Sequence, residues 1–146
     1  MENEGLIGTL NLLIAVLFIT ILILLIPLTL AYFNETPKSI EEIANYCKGK
    51  NLSESTSCVV KLTSQFYKYN FDNVGKELTF SELKEEGGVC TSWSDYYSQI
   101  GELLGYKSKN VTIPLSKEIS HEFSVWSDED GYCILDQIEV SCFDLN

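Results

Sequence analysis

Cys90, His121 and Asp136 are the residues of this chain whose types and order suit acyl chemistry. Cys90 follows Gly87-Gly88-Val89, His121 is the sole histidine, and Asp136 closes a strand-like run downstream of it. Attack on an amide or ester carbonyl requires a thiolate, an imidazole to take and return a proton, and a carboxylate to orient that imidazole. The three residues supply one of each. No metal or organic cofactor is expected, since the chain has no P-loop, GxGxxG, HExxH or EF-hand pattern.

The surrounding elements must bring these side chains together. After Cys90, the residues Trp93, Tyr96, Tyr97, Ile100, Leu103 and Leu104 recur at three and four residue spacing, and Gly105 supplies a C-terminal stop. This predicts a buried helix with Cys90 at its N-terminus, where the helix end and a nearby imidazole favour the thiolate. Beyond it the period changes to two: Val111 and Ile113, then His121, Phe123 and Val125, then Tyr132, Ile134 and Asp136, with a final strand over residues 138–142. Residues two apart share a face, so the apolar Phe123 and Val125 predict that His121 points inward toward the helix. The acidic turn Ser127-Asp128-Glu129-Asp130-Gly131 joins the His and Asp strands, and reads as a solvated hairpin turn rather than a cation site. Asp136 is then in position to accept the second imidazole N–H. The Cys90 backbone N–H is the expected oxyanion donor, with Gln65 a candidate side-chain partner.

Upstream, Ser39-Ile40-Glu41-Glu42 and Thr79-Phe80-Ser81-Glu82 are capping boxes that start short helices. Residues 51–56 read as a polar turn. Val59, Val60, Leu62, Phe66, Tyr67 and Tyr69 predict a second helix ending near Asn70. Gly87-Gly88 stops the Thr79 helix and delivers the chain to Cys90.

Residues 10–33 are almost entirely Leu, Ile, Val, Phe and Ala, long enough to predict one transmembrane anchor over residues 1–33 with the lipid bilayer as partner. Residues 34–146 then form one domain. The net charge of -11 and the absence of a basic, aromatic-interleaved patch exclude nucleic acid as a partner. Of the five cysteines, four remain once Cys90 is reserved, and Cys47, Cys58, Cys133 and Cys142 can form two disulfides in three ways. Pairing Cys47 with Cys58 would staple two helices, and pairing Cys133 with Cys142 would link neighbouring strands. That pattern, with the sequons at Asn34, Asn51 and Asn110, favours an extracytoplasmic domain, although Lys38, Lys48 and Lys50 beyond the apolar stretch count toward the cytoplasm.

Gly87-Gly88-Val89-Cys90, the helix ending Glu102-Leu103-Leu104-Gly105-Tyr106, His121 opening a strand, and Gly131-Tyr132-Cys133-Ile134-Leu135-Asp136 together resemble the transglutaminase-like superfamily. The resemblance covers residues 78–137. It implies an α+β fold with a papain-like core, in which N-terminal helices, one bearing the catalytic Cys at its start, pack on an antiparallel sheet preceded here by one transmembrane helix. It also implies Cys90 as nucleophile, His121 as base and Asp136 as its orienter. The chain departs from the family pattern where His121-Glu122-Phe123 replaces His-Ala-Trp and Asp136-Gln137 replaces Asp-Pro. The expected activity is cleavage or transfer of an amide acyl group of a protein or peptide through a Cys thioester. Hydrolysis by a peptidase or amidase is the default, a protein-crosslinking transglutaminase differs only in the acceptor, and a catalytically silent surface binding module is the alternative from another class.

Overall fold

A computed structural model describes residues 14–21, 23 and 36–145, and the chain divides into two units, residues 1–35 and 36–146. In the first unit, residues 14–21 and 23 are helical. The remainder of the apolar stretch, and Asn34 with it, lies outside the described residues. Among the described residues no helix is long and apolar enough to cross a membrane. The expected transmembrane helix, and the single-pass membrane location drawn from it, are corrected by this finding.

The second unit is α+β, with helices first and a four-stranded antiparallel sheet after them. Helix α1 (Ile40–Cys47) is capped by Ser39, whose Oγ accepts the Glu42 N–H; the Glu42 carboxylate in turn accepts the Lys38 N–H at 2.6 Å. Helix α2 (Leu52–Thr63) begins earlier than its sequence suggested. Asn51 accepts the Glu54 N–H, and Thr56 returns its hydroxyl to the Leu52 carbonyl, so the polar stretch is helical. The helix also ends earlier, at Thr63, leaving Phe66, Tyr67 and Tyr69 on a non-helical segment. A single 3₁₀ turn (Phe71–Asn73) leads to α3 (Phe80–Glu86), where Thr79 and Glu82 form the full reciprocal capping box. Helix α4 (Cys90–Leu104) ends on Gly105, whose φ of 88° is the left-handed cap that glycine adopts without penalty.

The sheet is a meander in the order β1 (Lys107–Pro114), β2 (Ser120–Ser127), β3 (Gly131–Asp136) and β4 (Glu139–Asp144). Helix α4 packs on β1 and β2 and also on α1, while α2 packs on β3 and β4. Trp93, Tyr97 and Ile100 of α4 meet Trp126, Cys133 and Leu135 of the sheet in the buried core. Helix and sheet approach closely at Gly101, where an added Cβ would stand 2.7 Å from the Trp126 ring.

Disulfides join Cys47 to Cys58, linking α1 to α2, and Cys133 to Cys142, which face each other across β3 and β4. Cys90 is the free cysteine.

Candidate active site

The segment before the nucleophile is held by a contact remote in sequence. Gly88 donates its N–H to the Lys68 carbonyl at 3.1 Å and accepts the Asn70 N–H at 3.0 Å, a parallel bridge that aligns Tyr69 with Gly88. Asn73, fully buried, donates to the Gly87 carbonyl at 2.8 Å, and Asn70 donates to the Glu86 carbonyl at 2.9 Å. Glycine is needed here because the chains touch. A Cβ on Gly87 would lie 2.8 Å from the Lys68 carbonyl oxygen, and one on Gly88 would lie 2.4 Å from Leu83. Trp93 adds an indole N–H to the Lys68 carbonyl at 3.1 Å, so it is a core side chain that also braces this segment.

This clamp sets Cys90 at the first turn of α4, half-buried and with no side-chain cap ahead of it. Its thiol and backbone N–H both meet the hydroxyl of Tyr69. Burial first, and then the Cys90 charge and the bond Tyr69 donates to the thiol, push the Tyr69 hydroxyl above its ordinary range. Tyr67 lies deeper, and its hydroxyl is buried without a hydrogen-bond partner. Burial, followed by repulsion from Tyr69, Asp136 and Cys90, pushes it up to about 12. Both tyrosines lie within electrostatic reach of Cys90 and of Asp136.

His121 and Asp136 form a close pair. Nε2 of the imidazole stands 2.8 and 2.9 Å from the two carboxylate oxygens. With Asp136 ionised, Nε2 carries the proton and donates it, which leaves the Nδ1 lone pair as the basic position of the ring. The His121 side chain is 19% exposed and that of Asp136 40%, so water reaches the pair from one side. No hydrogen bond joins His121 to Cys90 among the described residues; the thiol's partner is Tyr69.

The face of β2 differs from its sequence reading. Ser124 and Trp126 are the buried residues, and Glu122 accepts hydrogen bonds from Ser94 of α4 and Thr112 of β1. The helix-facing set is thus Glu122, Ser124 and Trp126, while His121, at the start of the strand, and Phe123 and Val125 are half-buried. The physical reason is a polar helix face. Asp95 and Ser98 reach Asn110, and Ser98 also meets Ser124 at 2.8 Å, so α4 presents hydroxyls and a carboxylate where the strand presents small polar groups. Burial raises the Asp95 carboxyl despite the bond from Asn110, and the nearby Glu122 carboxylate adds to the rise. The Asn110 amide is consumed in this layer.

Gln65 is exposed in the turn after α2, with its backbone N–H on the Leu62 carbonyl. The group beside the Cys90 N–H is the Tyr69 hydroxyl instead. The signal for the tyrosines was the alternation of Tyr67, Tyr69 and Phe71, a period-two aromatic pattern of extended chain. In the β2–β3 turn, Asp128 accepts the Asp130 and Gly131 N–H groups at 3.0 Å, closing the turn on itself. Among the described residues no three acidic, His or Cys side chains are grouped to hold a metal ion.

Comparison with protein-family models, with curated proteins and with solved structures finds no match.

Proposed function

We propose that this protein is a cysteine acyl hydrolase of transglutaminase-like type, a peptidase or amidase acting on a protein or peptide amide. The observation that carries the reading is the His121–Asp136 pair, which orients the imidazole through Nε2 and leaves Nδ1 for proton transfer. Cys90 at a helix start is the nucleophile. His121 Nδ1 takes the thiol proton as the Cys90 sulfur adds to the amide carbon, and the carbonyl π pair moves onto oxygen to give a tetrahedral oxyanion. Collapse of that intermediate breaks the C–N bond, and the leaving amine takes the proton held at His121 Nδ1. Water then attacks the thioester, with His121 taking its proton and the Cys90 thiolate leaving. A primary amine in place of water makes the same site a transglutaminase.

A second reading, a binding module without catalysis, draws on one observation: His121 is hydrogen-bonded to Asp136, and among the described residues no hydrogen bond joins it to Cys90. Iodoacetamide labelling of the purified protein near neutral pH, mapped by mass spectrometry, separates the two. Fast modification of Cys90 that slows in His121→Ala supports the enzyme. A Cys90 that labels no faster than free cysteine, with no change in His121→Ala, overturns it.

A further inference from the structure

Tyr69 is fixed beside the nucleophile by backbone as well as side chain. Its main chain is aligned with Gly88, two residues before Cys90, by the hydrogen bonds that flanking Lys68 and Asn70 make with Gly88 at 3.1 and 3.0 Å. Its ring is braced edge-on against Phe71, with centroids 5.0 Å apart. From this position the Tyr69 hydroxyl stands beside the Cys90 thiol and the Cys90 backbone N–H, close enough to interact with both. A carbonyl under attack by that sulfur must put its oxygen where the Cys90 N–H is aimed, because that amide is unpaired within the helix. This is the spot the Tyr69 hydroxyl occupies at rest.

We propose that Tyr69 is the second donor of the oxyanion hole, its O–H joining the Cys90 backbone N–H on the carbonyl oxygen of the substrate. The inference rests on the acyl-transfer reading of Cys90. When the carbonyl enters, it displaces the tyrosine oxygen from the amide, and the hydroxyl turns its proton from sulfur to the incoming oxygen. The sulfur is losing negative charge at that moment while the carbonyl oxygen gains it, so the hydrogen bond strengthens along the reaction. Tyr69 keeps its proton throughout, donating a hydrogen bond and no acid. Its raised titration range is consistent with a hydroxyl that stays protonated beside an anion. Gln65 is not required for this role.

The test compares two reactions of Cys90 in wild type and Tyr69→Phe. Alkylation by iodoacetamide is a displacement at a saturated carbon and forms no oxyanion. Acylation by p-nitrophenyl acetate forms one, and is read as nitrophenolate release. Tyr69 is 37% exposed and the change removes one oxygen, so the fold is preserved. The expected result is acylation slowed on the order of 100-fold, with alkylation, which feels only the lost contact between Tyr69 and the thiol, altered by no more than about tenfold. Equal slowing of both reactions, or no slowing of either, overturns the role of Tyr69 while leaving the nucleophile intact. A wild-type Cys90 that is not acylated at all overturns the acyl-transfer reading and this inference together.

Discussion

Both carboxylate oxygens of Asp136 lie within hydrogen-bond reach of a single nitrogen of His121, Nε2, at 2.8 and 2.9 Å. A bifurcated bond of this kind fixes the tautomer as well as the ring's position. Asp136→Asn retains the shape but offers an amide N–H where an acceptor is needed, favouring the opposite tautomer with the proton on Nδ1. Acylation of Cys90 should fall by roughly 10³- to 10⁴-fold, as expected for a misoriented base. Stopped-flow nitrophenolate release checks this, and an undiminished rate would show that the pair is structural only.

Asn73 holds the approach to Cys90 in place. Its amide donates to the Gly87 carbonyl, and its oxygen accepts from Lys76 at 2.8 Å. Asn73→Ala leaves the Gly87 carbonyl without that donor in a buried setting, at about 1–3 kcal/mol. The denaturation midpoint should drop accordingly, and Cys90 alkylation should lose its dependence on His121 as the turn loosens.

Gly101 sets helix propensity against packing. Replacing a mid-helix glycine with alanine ordinarily stabilises a helix by about 0.8–1 kcal/mol. Here the new methyl would stand 2.7 Å from the Trp126 ring and 2.9 Å from Ser108, both fixed by the sheet. Overpacking of this kind costs about 1–3 kcal/mol. The crowding term is the larger, so Gly101→Ala should be net destabilised in urea titration; a gain in stability would mean that α4 can lift from the sheet.

The two disulfides close short loops, with sequence separations of 11 and 9. Loop closure of this length is worth up to about 3 kcal/mol for each cross-link. Cys47→Ser with Cys58→Ser should therefore lower unfolding free energy by about 2–3 kcal/mol, and the Cys133 and Cys142 pair by a similar amount. Additive losses are expected because the two sites lie on different elements, and strong non-additivity would indicate that α2 couples them.

Alkaline pH should weaken the fold through Tyr67 and Tyr97. Tyr67 titrates at about 12 against an ordinary 10, and Tyr97 is raised further, with burial the leading cause in both. The folded state binds these protons more tightly than the unfolded chain does. Their contribution is complete below about pH 10 and is lost as pH climbs through the folded values, since the unfolded chain ionises first. Urea midpoints should fall between about pH 10 and about pH 12, and Tyr67→Phe should flatten that fall.

Elements whose signals are local were legible from the residues alone. Helix α4 begins at Cys90 and is stopped by Gly105, and the Thr79 box starts α3, because each cap is decided within four residues. The Phe66 to Tyr69 segment, expected to continue the second helix, is non-helical, since its conformation is set by pairing with Gly87 and Gly88, far along the chain. The inward face of β2 was misread for a related reason. Phe123 and Val125 outweighed Ser124 by hydrophobicity, but the partner surface on α4 is polar and Trp126 lies on the Ser124 side. The candidate catalytic residues were visible by type, whereas Tyr69 becomes visible only when two distant stretches of backbone are paired.

The connectivity also bears on how the molecule is made. One cross-link closes wholly among the early helices and the other wholly within the last hairpin, with Cys90 between them in the chain. Each bond can therefore be formed from neighbours in sequence, before the helical half meets the sheet. Oxidative refolding should give Cys47–Cys58 and Cys133–Cys142 ahead of any long-range pairing, and the nucleophile emerges unpaired because neither loop needs it for closure.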